Sequence, residues 1–350
     1  MTESPKPAPL RISFIDAARG VAAFLVLFQH SYERFFPSLG EFIGSKILNF
    51  GQLGVVVFFL VSGFIIPFSL ERSKSVGHFF VNRAFRIYPL YLFIIFLQVL
   101  FVLFHIREIV PGSNFLKIGL THLFFAQEYF PTTSPWSENL VMGSWTLFIE
   151  AIWYFLFAGL FFLKISHRRI LVISILGFLA LTLLGLWFEK RLPMGRMGML
   201  FNCIMGLHLY RRFIGQISFG EFMVGLLAGL GVLFFGLWVA FGHFESDAFN
   251  LQCVWTSWLM AYIVFGFFFL FRNKTVPFIE TALAFLGTIS YSVYLLHFTI
   301  LTLVLHFFKP DPLLFSGVLV SVVVLSYFSY TWVEKPAIDF GKRLLKKKQG

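Results

Sequence analysis

Long apolar runs separated by short polar segments dominate the pattern of this chain. A helix needs about 20 apolar residues to cross the roughly 30 Å hydrocarbon core of a bilayer, and most of the runs reach or approach that length. The runs are continuous rather than alternating, which argues against the strands of a membrane β-barrel. The pattern therefore predicts an all-α polytopic membrane protein with about ten transmembrane helices. Their predicted positions are residues 14–32, 51–70, 84–105, 144–163, 170–188, 198–210, 219–242, 252–271, 282–306 and 313–332.

The composition agrees with lipid as the natural solvent of this chain. Its 350 residues are 58% hydrophobic and 13% charged, and they include 51 phenylalanines. Soluble domains carry about 25% charged residues, so a water-facing surface would be hard to build. The sequence contains no internal repeat and no separate soluble region. We predict one transmembrane domain over residues 1–350, with helices within about 14–332 and a basic cytoplasmic tail over 333–350.

The net charge of +11 reflects an uneven distribution of Lys and Arg. With the N-terminus in the cytoplasm and the spans alternating, 19 of these residues fall on the cytoplasmic side and eight on the outer side. The positive-inside rule then predicts that both termini are cytoplasmic, in a bacterial inner membrane. We interpret Lys346, Lys347 and Lys348 as an anchor to lipid headgroups rather than as a nucleic-acid site.

The first apolar run is not typical of a cleaved signal peptide. It contains Asp16 and Arg19, and no small-residue cleavage site follows it. The two cysteines, Cys203 and Cys253, lie in apolar runs and lack the spacing of a metal site or a disulfide framework. We therefore expect no resident metal.

The first helix carries ionisable groups at membrane depth, where they are costly and usually functional. Arg19 and His30 are eleven residues apart, which is about three helical turns, so they share a face and lie ~16 Å apart along the axis. Asp16 is on the same face, and we favour a structural ion pair with Arg19. For His30 we favour a functional role, because a polar face of this length indicates a water-filled or protein-lined path.

Three further polar residues in apolar runs are candidates. Glu150 needs a partner or a proton, and Arg19 or a histidine of another helix is the expected partner, in a catalytic site or in a structural pair. His297 follows Tyr294 by one turn and is either a second catalytic group or a core histidine. Ser62 precedes Gly63, and close helix packing is the favoured interpretation, with Ser62 also a candidate for the donor site.

Arg83 and Arg86 share a helical face at the cytoplasmic start of the third span. Paired guanidinium groups match the geometry of phosphate oxygens, which suits a phosphorylated cofactor. A plain positive-inside anchor is the alternative and remains open. Glu334, at the end of the last span, is expected to neutralise arginines on this side.

The order of these motifs resembles the acyltransferase-3 family. The resemblance covers about residues 11–340, and it rests on the following strings: Ser13-Phe-Ile-Asp-Ala-Ala-Arg19-Gly through His30, Phe58-Phe-Leu-Val-Ser-Gly-Phe64, Arg83-x-x-Arg86-Ile-Tyr-Pro89, Trp145-Thr-Leu147 up to Glu150, Ser290-Tyr-Ser-Val-Tyr-Leu-Leu-His297 and Val333-Glu-Lys-Pro336.

The resemblance implies a ten-helix membrane enzyme that O-acylates carbohydrates such as lipopolysaccharide, exopolysaccharide or peptidoglycan. It implies that Arg19 and His30 are the family's intramembrane pair, and that Arg83 and Arg86 are its cytoplasmic arginine pair. Some members carry a fused esterase-like domain, and we expect this chain to act without one. The expected donor is acetyl-CoA or another acyl-CoA, and the expected acceptor is a carbohydrate or glycolipid.

These expectations combine into a predicted mechanism. Arg83 and Arg86 hold the coenzyme A phosphates, and the thioester reaches His30 along the polar face of the first helix. His30 then removes a proton from an acceptor hydroxyl, or forms an acyl-histidine intermediate, and the sequence does not choose between these. Arg19, Ser62 or backbone amides are candidate donors to the oxyanion. The long loop over residues 106–143 is expected to help hold the acceptor.

Transport is the competing function class. A multi-pass permease or flippase of a glycan or small metabolite would use Glu150 and Arg19 as a coupling pair. Such transporters often contain repeated halves and broken helices, and the sequence shows neither. We therefore favour the enzyme.

Overall fold

The computed structural model describes residues 12–109, 114–130, 139–244, 246, 248–273 and 277–347, and this part of the chain is helical without a β-strand. It contains helices α1 (Ser13–Phe35), α2 (Pro37–Phe42), α3 (Phe50–Glu71), α4 (Val76–Leu103), α5 (Phe115–Leu123), α6 (Trp145–Phe162), α7 (His167–Trp187), α8 (Met194–Phe213), α9 (Phe219–Trp238), α10 (Leu251–Leu270), α11 (Pro277–Phe307), α12 (Pro312–Ser329) and α13 (Lys335–Lys347). The all-α prediction is confirmed.

Each of the ten predicted spans coincides with one long helix of the structure, with or without a π-helical turn at its end. Eight helices of the described chain are long and apolar enough to cross a membrane by length and composition. The two remaining predicted spans are α1 and α8, which carry the polar residues Arg19, His30, Asn202 and His208. The protein is a polytopic membrane protein, and the predicted number of spans agrees to within these two helices.

The ends of several helices follow from local side-chain chemistry. The side chain of Asn49 accepts a hydrogen bond from the backbone of Gln52 at the start of α3 (2.8 Å). Ser75 does the same for α4, and Asp311 for α12, where Pro312 is the first helical residue. These side chains satisfy N–H groups that lack partners within the helix.

Helices α1, α3 and α11 form the centre of the bundle. α1 packs against α11 and α3, and α3 also packs against α8 and α10. The apolar stretch of α3 is 78% buried inside the protein, whereas that of α7 is only 28% buried and α7 lies at the periphery. Arg19 and His30 of α1 are half-buried in this central part of the bundle.

Small residues bring the central backbones together. A Cβ atom on Gly63 of α3 would lie 2.0 Å from the carbonyl oxygen of Cys203 in α8, so only glycine fits. Gly20 of α1 and Gly287 of α11 meet in the same way. Close backbone contact of this kind is the usual means of helix association in lipid, and the predicted packing role of Gly63 is confirmed.

The segment predicted as a basic tail is helical where the structure describes it. A π-helical turn, Tyr330–Glu334, joins α12 to α13, and α13 packs against α4. Gly341 lies against the ring of Phe85 in this contact. The last three residues, 348–350, lie outside the described residues.

Candidate functional site

Arg19 and His30 lie on one uninterrupted helix, so the predicted separation of ~16 Å along its axis holds in the structure. The Arg19 side chain is 15% exposed and lies 3.8 Å from the Asp16 carboxylate. This confirms the predicted structural pairing of Asp16. His30 is closer to the C-terminal end of α1, which is the predicted outer side.

Three arginines from two helices form an arginine cluster, which we define as Arg19, Arg83 and Arg86. Both arginines of α4 lie within electrostatic range of Arg19. Glu334 lies within the same range of Arg19 and Arg86, and its carboxylate accepts a hydrogen bond from Ser292 (3.1 Å). Glu334 thus offsets part of the positive charge, in agreement with its predicted role.

Glu150 joins the arginine side of the site. Its carboxylate accepts hydrogen bonds from the hydroxyls of Ser62 (3.3 Å) and Tyr154 (2.5 Å). Arg83 lies over the Tyr154 ring, 5.6 Å from its centroid, and within electrostatic range of Glu150.

This environment differs from the predicted pairing of Glu150 with Arg19 or a histidine. The reason is that α6, which carries Glu150, packs against α3 and α8, while α1 packs mainly against α11 and α3. Ser62 is likewise directed to this carboxylate rather than to His30. Of the predicted catalytic residues, Glu150 therefore lies with the arginine cluster and not with the histidines.

His30 and His297 form a stacked pair, with ring centroids 5.5 Å apart and planes inclined by 14°. Phe298 packs against both rings. The tertiary structure thus brings together two predicted catalytic residues from α1 and α11. The predicted neighbour of His297, Tyr294, is also in contact, with ring centroids 5.9 Å apart.

One hydrogen bond of His297 favours the tautomer with the hydrogen on Nδ1. Its Nδ1 lies 3.3 Å from the carbonyl oxygen of Val293, which can only accept, so Nδ1 carries the hydrogen. Its Nε2 is buried and has no hydrogen-bond partner among the described residues. His297 therefore presents a lone pair beside His30, which is the property of a proton acceptor.

His30 has a carboxylate partner that the sequence interpretation missed. Nδ1 of His30 lies 3.3 Å from Oε2 of Glu33, one turn further along α1. The side-chain amide of Gln29 donates to the other oxygen of Glu33 (2.8 Å), and its carbonyl accepts from the backbone of Phe50 (2.8 Å). A carboxylate held in this way fixes the imidazole and leaves Nε2 to exchange protons, the logic of a catalytic dyad.

The sequence did contain a signal for this dyad. His30 and Glu33 are three residues apart, a spacing at which helical side chains meet. What the spacing did not reveal is that Gln29 is buried and anchors the carboxylate to the start of α3.

A narrow gap follows α1 from Arg19 towards the histidine pair. Ala22, Ala23 and Val26 line it on α1, and Tyr294 lines its far end on α11. Its volume is about 20 Å³, close to the space that one water molecule needs. The gap thus runs from Arg19 to Tyr294, which contacts His297, and it is too narrow for an acyl chain in this structure.

Two aromatic rings restrict this passage. Phe58 of α3 and Tyr294 lie nearly parallel, with centroids 6.3 Å apart. The Tyr294 hydroxyl donates to the carbonyl of Gly143 (3.1 Å) and hydrogen-bonds to Thr146 (2.9 Å). A shift of Tyr294 would therefore widen the passage and disturb the segment before α6.

The described part of the long loop lies against the same end of the bundle. Arg107 donates to the backbone carbonyls of Asn139 (2.6 Å) and Leu140 (3.1 Å). Leu140 in turn donates to Nε2 of His122 (3.1 Å). These bonds hold the segment before Gly143, whose carbonyl accepts a hydrogen bond from Tyr294, and the role of the loop in acceptor binding stays a prediction. Pro111, Pro131, Pro135 and Trp136 of this loop lie outside the described residues.

Glu128 is an ionisable group of this loop with an altered proton affinity. Burial raises the pKa of its carboxyl above the ordinary value, and the nearby Arg196 guanidinium, 3.2 Å away, lowers it to a lesser extent. The Asn139 side chain donates to the same carboxylate (2.9 Å). Glu128 thus ties the loop to α8.

Comparison with known proteins decides the class. The family model described as "Acyltransferase domain" matches residues 12–331. The chain belongs to this acyltransferase family. The match spans the arginine cluster, the histidine pair and the gap along α1, and it ends three residues before Glu334. Family membership gives the reaction class. The protein is an acyltransferase that transfers groups other than aminoacyl groups.

The individual relatives of this acyltransferase share low sequence identity with it. It is 24% identical to "Nodulation protein 10" of Rhizobium leguminosarum bv. viciae over 94% of each chain. It is 34% identical to "Exopolysaccharide production protein ExoZ" of Rhizobium meliloti (strain 1021) over 39% of this chain and 41% of that protein. It is 26% identical to the "O-acetyl transferase" of Shigella phage Sf6 over 50% of this chain and 54% of that protein.

The matched region therefore spans about half, or less, of two of these relatives. No solved structure matches the chain.

Proposed function

We propose that this protein is a membrane O-acyltransferase that moves an acyl group, most simply acetyl, from a coenzyme A thioester to a hydroxyl of a cell-surface or exported carbohydrate. The observation that carries the proposal is the presence of two chemically different clusters on either side of a narrow gap along α1. A cluster of three arginines suits an anionic donor, and a histidine pair with a carboxylate suits proton transfer.

The donor end is proposed to bind the phosphates of coenzyme A. Arg83 and Arg86 offer forked donors that match phosphate oxygens. The thioester arm then extends along α1, past Arg19, towards His30. Because the passage is about 20 Å³ in the structure, this step requires Phe58 and Tyr294 to move apart. Ser62 and Glu150 shape the donor end by holding each other beside Arg83.

The histidine end is proposed to carry out the transfer. Nε2 of His30 accepts the proton of the acceptor hydroxyl while Glu33 holds Nδ1, and the hydroxyl oxygen attacks the thioester carbonyl. When the carbon–sulfur bond breaks, the thiolate of coenzyme A leaves and takes the proton from His30. The products are an ester and free coenzyme A. His297, whose buried Nε2 lacks a partner among the described residues, is the second candidate for the proton acceptor.

A carbohydrate acceptor is supported by the names of the relatives. One is an exopolysaccharide production protein and another an O-acetyl transferase. His30 is about a third exposed, at the end of α1 next to the described part of the loop, which suits a hydroxyl that arrives from solvent. We propose that this end faces outward and that both termini are cytoplasmic, in a bacterial inner membrane.

The test uses purified protein in lipid nanodiscs with radiolabelled acetyl coenzyme A and a glycan extract. Wild-type protein should transfer label to the glycan, and His30→Ala should transfer none while remaining folded. His306→Ala is the matched control, because His306 is an exposed histidine near the end of α11. Label taken up into closed vesicles without modification of the glycan would instead support a carrier.

The same assay separates the two histidines. If His30 is the base and His297 shapes its surroundings, His297→Gln should keep measurable transfer while His30→Gln should not. Near-normal turnover by His30→Ala would refute the mechanism.

A further inference from the structure

A large cavity lies outside the path described above. It occupies about 610 Å³ between α8, α9 and α10, within the range of volumes typical of ligand pockets. Leu209, Phe222, Leu226, Phe265 and Phe269 are among the side chains that line it, and almost all of its wall is apolar. It shares no lining residue with the gap along α1. The transfer mechanism therefore leaves this cavity unused.

Two arginines line the end of the cavity where α8 and α10 end. Arg212 donates to the backbone carbonyl of Ile217 (3.4 Å), and Arg272 donates to the carbonyl of Phe269 (2.7 Å). Neither forms an ion pair with a carboxylate among the described residues. Both are half-buried at the wall of the cavity, and no carboxylate among the described residues neutralises their charges.

Two other arginines at this end of the bundle are neutralised by carboxylates. Arg211, next to Arg212 in the chain, is paired with Glu71 (2.5 Å), and Arg168 forms two hydrogen bonds with Glu221 (2.6 and 2.9 Å). The contrast indicates that the charges of Arg212 and Arg272 are available to bind an external partner. That partner must be apolar over most of its length and anionic at one end.

We propose that this cavity binds one anionic phospholipid of the surrounding leaflet. An acyl chain lies between α9 and α10, against Phe222, Leu226 and Phe265, and the phosphate is bound between Arg212 and Arg272. Guanidinium groups match phosphate oxygens in number and geometry, and basic pockets between transmembrane helices are the sites where acidic headgroups bind. The apolar wall distinguishes a lipid from a free phosphate, which would gain nothing from it.

Two helices that line the cavity, α8 and α10, also contact the helices of the candidate site. Both helices pack against α3, which carries the Gly63 contact and the Ser62 hydroxyl of the donor end. A lipid in this cavity would therefore support the position of α3 through α8 and α10. The proposal does not depend on the identity of the transferred group or of the acceptor.

The experiment measures retained lipid by native mass spectrometry of the full chain. Protein is incubated with equal amounts of phosphatidylglycerol and phosphatidylcholine of the same acyl chains. Wild type should retain phosphatidylglycerol preferentially. Arg212→Gln combined with Arg272→Gln should weaken its retention about thirtyfold, since each basic residue near an anionic headgroup contributes a similar electrostatic share. Arg168→Gln, at the same end but paired with Glu221, should leave retention unchanged.

Two further measurements separate the contribution of the lipid headgroup from that of the acyl chain. Leu226→Trp should fill the cavity and reduce retention of both lipids, which the arginine variants should not do. Soluble glycerol 3-phosphate should not displace the lipid, whereas displacement at equal concentration would reveal a free-phosphate site. Equal retention of the two lipids by wild type, or full retention of phosphatidylglycerol by the double variant, would overturn the proposal. None of these readouts uses acyl transfer, so a failure here leaves the proposed function standing and the converse also holds.

Discussion

The Glu33→Gln substitution isolates the charge that faces Nδ1 of His30 while keeping the size of the side chain. Two unit charges at the observed 3.3 Å interact by about 1.3 kcal/mol at the dielectric constant of water and by about 5 kcal/mol at the effective value near a protein surface. The side chains of His30 and Glu33 are 32% and 38% exposed, so screening by solvent keeps the interaction nearer the lower value.

We therefore expect the imidazolium formed during proton transfer to lose about 2 kcal/mol of stabilisation, which corresponds to a roughly 30-fold fall in kcat. The KM for acetyl coenzyme A should change little, because Arg19 of the arginine cluster lies ~16 Å from His30 along α1. Steady-state transfer of radiolabelled acetyl groups measures both constants.

The control for this variant is Glu41→Gln, the same change at an exposed position of α2. It should retain wild-type kinetics. The Gln29 amide can still donate to glutamine at position 33, so the local fold should survive, and thermal unfolding checks this. A kcat for Glu33→Gln within twofold of wild type would show that the carboxylate does not assist His30.

Three further predictions concern the donor end, the packing and the loop. Arg83→Gln combined with Arg86→Gln should raise the KM for acetyl coenzyme A at least about tenfold, because charge-assisted contacts with the phosphates are lost. The control Lys342→Gln, on the exposed face of α13, should leave the KM unchanged. An unchanged KM in the double variant would remove the arginine pair from the donor site. Gly63→Val should lower the free energy of unfolding by about 1–3 kcal/mol or more, because its Cβ would meet the Cys203 carbonyl at 2.0 Å. Gly159→Ala is the control, since nothing lies within 4 Å of its Cβ. Equal melting temperatures of the two variants would contradict this packing. Burial raises the pKa of Glu128, so the folded state holds this proton more tightly than the unfolded chain; the resulting stability is present at low pH and lost as the pH rises through the folded-state pKa. The melting temperature of wild type relative to Glu128→Gln should therefore fall between about pH 4 and pH 7, and a constant difference would refute the assignment.

The local sequence pattern was sufficient to predict the helices and the geometry of α1. Each long apolar run became one helix, because a backbone in lipid must satisfy its hydrogen bonds internally. The separation of Arg19 and His30 followed from helical rise alone and did not depend on any neighbour. The Asp16 pairing with Arg19 was equally local, since the two residues are three apart.

Contacts between helices were decided only by the tertiary structure. The stacking of His297 on His30 joins α11 to α1, and the hydrogen bond from Ser62 to Glu150 joins α3 to α6. The sequence could not assign these partners, because in a membrane protein the surfaces that face lipid and those that face other helices are similarly apolar. The close contacts of Gly20 with Gly287 and of Gly63 with Cys203 select which faces meet. They thereby determine that Glu150 lies among the arginines and that the two histidines lie together.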